Sequence, residues 1–145
     1  MDNSNLELSN KLIYENSLEI FETKPKIIFL GGDHSISYST GKAFLDYCKK
    51  QGKEPCLIVF DSHADCMLSM KEPTHEEWLR ALIEYGFLTK NILLVGLRNS
   101  DVEELRFIAE NKIRIINLDN TLVNIEDICD TIMEFSSGKQ LYLSL

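Results

Sequence analysis

Features that mark membrane, secreted and nucleic-acid-binding proteins are scarce in this chain. Its four cysteines, Cys48, Cys56, Cys66 and Cys129, contain no C-x-x-C pair. Neither a thiolate metal knot nor a redox motif is expected, and reduced thiols with packing roles are the default reading. No apolar run approaches the length needed to span a bilayer, and Met1-Asp2-Asn3-Ser4-Asn5 does not open like a signal peptide. Only three prolines and seven glycines are present, and no Pro/Gly-rich linker, low-complexity tract or repeat divides the chain, so 145 residues are expected to form one domain. Basic residues are outnumbered, 15 against 23 acidic, for a formal net charge of −8. Without a basic stripe to neutralise phosphates, no nucleic acid is expected as partner. A cytoplasmic protein with no membrane partner is the expectation.

Two short islands carry the chemistry: Gly31-Gly32-Asp33-His34-Ser35 and Asp61-Ser62-His63-Ala64-Asp65. Each follows an apolar, β-branched run, Lys26-Ile27-Ile28-Phe29-Leu30 and Cys56-Leu57-Ile58-Val59-Phe60. Between them lies enough chain for one helix, so the spacing predicts a βαβ unit with both islands at the carboxyl ends of neighbouring parallel strands, the edge where open α/β sheets bind ligands. In an extended segment Asp61, His63 and Asp65 all project to one side. Three ionisable groups directly after a buried strand are costly unless something compensates them. A carboxylate-rich set with imidazole favours Mn²⁺, with Zn²⁺ and Fe²⁺ as alternatives. Taken singly, the first island also reads as a tight turn, with Asp33 as a helix cap and His34 as a satisfied core histidine.

Elsewhere helices and strands alternate. Helical spacing covers residues 6–21, through Leu8, Leu12, Ile13 and Ile20, and residues 36–50, with Gly52 as the stop. Thr74 and Glu77 read as a capping box opening a helix to residue 83, and Ser100 and Glu103 as another opening a helix to residue 109. A last helix is expected over 124–135, and strands over 26–30, 56–60, 91–95, 113–118 and 141–145. Trp78, Leu79, Leu82 and Ile83 read as a helix packing face, and Cys66 as a packing residue.

The GGDHS island followed by D-x-H-x-D resembles the ureohydrolases, the arginase and agmatinase superfamily. Their usual second motif is DAHxD, and Ser62 replaces its first alanine. The resemblance implies an arginase-like three-layer α/β/α sandwich with a parallel sheet and two Mn²⁺ ions per complete site. His34 and Asp65 would bind one ion, His63 the other, and Asp61 would bridge them. It further implies that His75 shuttles protons or acts as general acid, with Glu76 in place of the usual glycine, and that Asp65 accepts a hydrogen bond from the attacking hydroxide. A plain exposed first-turn histidine is the other reading of His75.

Family members continue from a strand like Leu141-Tyr142-Leu143-Ser144-Leu145 into S-x-D-x-D, whose aspartates complete both metal shells. Only Ser144 of that motif is present here. Residues 1–145 are therefore expected to be the central part of a single ureohydrolase-like domain, lacking the C-terminal part and the first strand. The expected function is hydrolysis of linear amidines such as agmatine or arginine to urea and an amine, agmatinase-like before arginase-like, with little activity from these residues alone. The alternatives are a non-catalytic metal-binding remnant or partner-dependent subunit, and an amidohydrolase of the related deacetylase fold. A homo-oligomer is compatible with all of them.

Overall fold

A computed structural model describes residues 5–117 and 124–145. They fall into two compact units, one comprising the described residues up to Gly52 together with Asp65–Phe87, the other Lys53–Ala64 together with the described residues from Leu88 onward.

The first unit is helical. Asn5 caps α1 (Leu6–Thr23) by accepting the N–H of Leu8 at 3.0 Å, satisfying one of the donors that a helix start leaves open. The line that α1 buries runs through Asn10 and Ser17, with Ile13, Tyr14 and Phe21 half-buried beside it. Leu8, Leu12 and Ile20, expected to face the core, are exposed. Polar residues are tolerated in their place because they find partners: Asn10 Nδ2 donates to Glu72 Oε2 at 2.9 Å, and Tyr14 Oη donates to Asp46 Oδ2 at 2.9 Å.

The most buried helix of this unit is α2 (Ser37–Gln51), which ends where Gly52 takes the left-handed conformation at φ +64°. Phe44 stands in its core at 1% exposure, within an aromatic cluster centred on Phe21, whose ring lies 5.6 Å from Phe44, 5.8 Å from Tyr47 and 5.5 Å from Phe29. The third helix, α3 (Trp78–Tyr85), packs against α2 at Gly41, where a Cβ would stand 2.9 Å from Leu82 Cδ2.

The second unit is built on a four-stranded parallel sheet. Its strands are β1 (Pro55–Phe60), β2 (Ile92–Val95), β3 (Arg114–Ile116) and β4 (Gln140–Ser144), in the order β3-β2-β1-β4. Both faces of β1 and β2 are buried, as parallel strands require. On one face Cys56, Ile58, Leu93 and Val95 pack with Phe135 of α5 (Ile125–Ser136). Burial raises the Cys56 thiol above its ordinary pKa, consistent with a packing role. The remaining helix, α4 (Val102–Glu110), lies between β2 and β3 in the chain and buries Ile108.

The α/β class and the parallel sheet agree with the sequence reading, and four details differ. Residues 26–30 form no strand. Alternation survives there, with Ile27 and Phe29 half-buried and Ile28 and Leu30 at 86% and 94% exposure, but β1 has β2 on one side and β4 on the other. The two islands therefore do not follow adjacent strands. At α4 the cap is Asp101, whose N–H donates to Glu104 Oε2 at 3.0 Å, one residue later than expected. At α3 the Thr74–Glu77 pair forms as a turn and the helix begins only at Trp78. The expected strand 113–118 is three residues long, and its last position, 118, lies outside the described residues.

Candidate metal centre

Asp33 caps a short 3-10 turn, His34–Ile36, by accepting the N–H of Ser35 at 3.0 Å. The hydrogen bonds from Ser35 hold the exposed Asp33 carboxyl below its usual range. One residue on, His34 turns inward and its Nδ1 lies 3.2 Å from Asp65 Oδ2, the two side chains only 17% and 13% exposed. Asp65 has φ +50°, a left-handed conformation that aspartate tolerates better than most residues. Two groups at the start of α3 hold it: Trp78 Nε1 donates to Oδ2 at 2.7 Å, and the N–H of Leu79 donates to the Asp65 carbonyl at 3.2 Å. The His34 and Trp78 rings meet edge to face at 5.3 Å.

In the second unit the chain leaves β1 through an N–H of Asp61 donated to the Val95 carbonyl at 3.2 Å. Asp61 Oδ1 then accepts the N–H of His63 at 3.0 Å and stands 3.2 Å from His63 Nδ1. The Ser62 carbonyl accepts from Arg98 and Asn99 at 3.0 and 2.7 Å, tying this turn to the segment after β2. Asp61 and His63 are thus brought together by a turn, and Asp65 follows in left-handed backbone. The backbone over these residues is bent and not pleated as expected, because the Asp61 side chain bonds to the backbone two residues on, yet the Asp61 and His63 side chains still face one another.

His34 Nδ1 and His63 Nδ1 are each paired with a carboxylate oxygen at the same separation, 3.2 Å. Two neighbouring ligands on an octahedral cation with bonds near 2.1 Å stand about 3.0 Å apart. His34 with Asp65, and His63 with Asp61, therefore each present donors at a spacing that a divalent cation fits, in the nitrogen and oxygen chemistry that suits Mn²⁺ or Zn²⁺.

His75 belongs to the first unit and is 56% exposed, its Nδ1 3.9 Å from Asp33 Oδ2 and its Nε2 3.9 Å from Glu76 Oε1. It occupies the Thr74–Glu77 turn and not the first turn of a helix. Trp78, read from the sequence only as a packing residue, both packs at 0% exposure and binds Asp65. The signal was available: an indole N–H in a buried position needs an acceptor.

A model of the arginase family matches residues 1–145, and the chain belongs to that family. An arginase of Staphylococcus aureus (strain COL) is 24% identical over 151 residues, covering 94% of this chain and 48% of its own length. Among solved structures, proclavaminate amidino hydrolase from Streptomyces clavuligerus superposes with a TM-score of 0.81 at 15% identity, over 96% of this chain and 47% of that one. A hypothetical agmatinase from Burkholderia thailandensis gives 0.79 at 22% identity, over 99% of this chain and 44% of that one. These likenesses show the arginase-like α/β fold. The chain spans about half the length of the curated relatives it matches.

Proposed function

We propose that the protein is a metal-dependent hydrolase of linear amidines that converts a guanidino group to urea and an amine, with agmatine preferred over arginine. The observation that carries this reading is the pair of imidazole–carboxylate contacts at 3.2 Å on the GGDHS and D-x-H-x-D islands, in a chain of the arginase family. By the family resemblance His34 and Asp65 would hold one cation and His63 another, with Asp61 as a further ligand. Two Mn²⁺ ions, when bound, supply a water acidic enough to attack at neutral pH.

The residues do the rest. A guanidinium is resonance-stabilised and a poor electrophile, so attack depends on orientation as much as on nucleophile strength. Asp65 accepts a hydrogen bond from the attacking oxygen and so points its lone pair at the guanidino carbon. His75, exposed beside Asp33, delivers a proton to the departing amine nitrogen. The four cysteines are free thiols and no helix among the described residues is long and apolar enough to cross a membrane, which supports a cytoplasmic placement.

The test is manganese-dependent urea release from agmatine and from arginine, by the chain alone and with a segment bearing S-x-D-x-D supplied in trans. Urea release lost in His63→Ala supports the reading. Zinc-dependent deacetylation of an acylated amine without urea release overturns it in favour of the deacetylase-fold alternative.

A further inference from the structure

We propose that Trp78 is a positioning residue for metal binding, holding Asp65 in the rotamer that faces His34 before any cation arrives. The inference rests on the reading of His34 and Asp65 as ligands, and goes beyond it by assigning a task to a residue that is itself not a ligand.

Trp78 meets both members of the pair. Its indole N–H donates to Asp65 Oδ2 at 2.7 Å, the same oxygen that faces His34 Nδ1 at 3.2 Å. Its ring meets the His34 imidazole edge to face at 5.3 Å. The next residue, Leu79, donates its N–H to the Asp65 carbonyl, so backbone and side chain of Asp65 are both fixed from the start of α3. Trp78 has no freedom to relax, since it is fully buried and anchored between Glu77 and Leu79, which are also buried.

A carboxylate held by a neutral donor on one lone pair keeps its charge and its second lone pair for a cation. Such supporting hydrogen bonds orient ligands, and their loss typically costs about 10–100-fold in metal affinity. Preorganisation is the cause: without the indole N–H, Asp65 samples other rotamers and must be ordered at the moment of binding.

Mn²⁺ alone is the probe, titrated calorimetrically into the full chain and into Trp78→Phe, which keeps a packing ring and removes the N–H. The expected result is binding about tenfold weaker in the variant. A tryptophan with a purely structural role would lower the melting temperature and leave the affinity unchanged, and that result overturns the proposal. Absence of Mn²⁺ binding by the unaltered chain overturns the ligand reading itself, and this proposal with it. Should Trp78→Phe fail to fold, the indole N–H resonance decides. This is the chain's single tryptophan, so one signal is present, and it must shift as diamagnetic Zn²⁺ saturates the unaltered chain. A signal that stays in place while Zn²⁺ binds overturns the proposal.

Discussion

Thr74 and Glu77 hold each other through two hydrogen bonds, the Thr74 N–H to Oε1 at 3.1 Å and the Thr74 hydroxyl to Oε2 at 2.8 Å. Glu77 is 1% exposed, so its carboxylate depends on these donors, and the turn they close carries His75. Thr74→Val removes the hydroxyl and keeps the branched shape. A hydrogen bond to a charged group contributes about 1.5–3 kcal/mol, and a loss of stability in that range is expected in urea denaturation, with Thr74→Ser retaining most of the stability.

Phe44 fixes α2 to the ring of Phe21 and is almost completely buried. Phe44→Ala leaves a cavity and is expected to cost about 3–5 kcal/mol. Phe44→Leu should cost clearly less, and equal midpoints for the two variants would contradict the packing described.

Tyr14 and Tyr85 both donate to Asp46 Oδ2, at 2.9 and 2.8 Å. Burial first, and the Asp46 carboxylate second, push both phenols above their ordinary pKa of 10.0. The folded state therefore keeps protons that the unfolded chain releases. By linkage this stabilisation is fully present below about pH 10 and is lost as pH rises through the raised folded values. Denaturation midpoints should fall above pH 10, and the fall should be flatter in Tyr14→Phe/Tyr85→Phe.

The two imidazole–carboxylate pairs differ in exposure, 17% and 13% for His34 and Asp65 against 59% and 21% for His63 and Asp61. Charge interactions are stronger away from water, so the His34 pair should dominate cation affinity. His34→Ala is expected to weaken Mn²⁺ binding by more than about tenfold, and to do so more than His63→Ala. In the unaltered chain, Mn²⁺ at a hundred times its dissociation constant should add about 2.7 kcal/mol of stability. A larger loss from His63→Ala would reverse the ranking.

The sequence announced the helices, four of the five strands and the residue types of the site, because hydrophobic periodicity and the glycine stop at Gly52 are local signals. It misplaced residues 26–30, since apolar alternation records a preference for extended chain, whereas a strand also needs a neighbour. Asp101 and Ser100 are both competent caps one residue apart, and only the Glu104 contact decides between them. The pleat expected over residues 61–65 gave way for a similar reason: a short aspartate side chain competes with extended backbone for nearby N–H groups, and Asp61 does so. Trp78 was visible as an apolar residue, while its hydrogen bond to Asp65 spans thirteen positions and belongs to tertiary structure.

The strand order has a consequence for synthesis. β1 pairs on one side with β4, Pro55 opposite Gln140, although the ribosome makes β4 long after β1. At about 5–20 residues per second, the interval between those two partners is roughly 4–17 s. Throughout it, that side of β1 carries main-chain N–H and C=O groups without the neighbour that will satisfy them. An open strand edge is a template for any extended peptide. How cleanly the nascent chain folds thus depends on translation speed, and on whatever occupies that edge in the meantime.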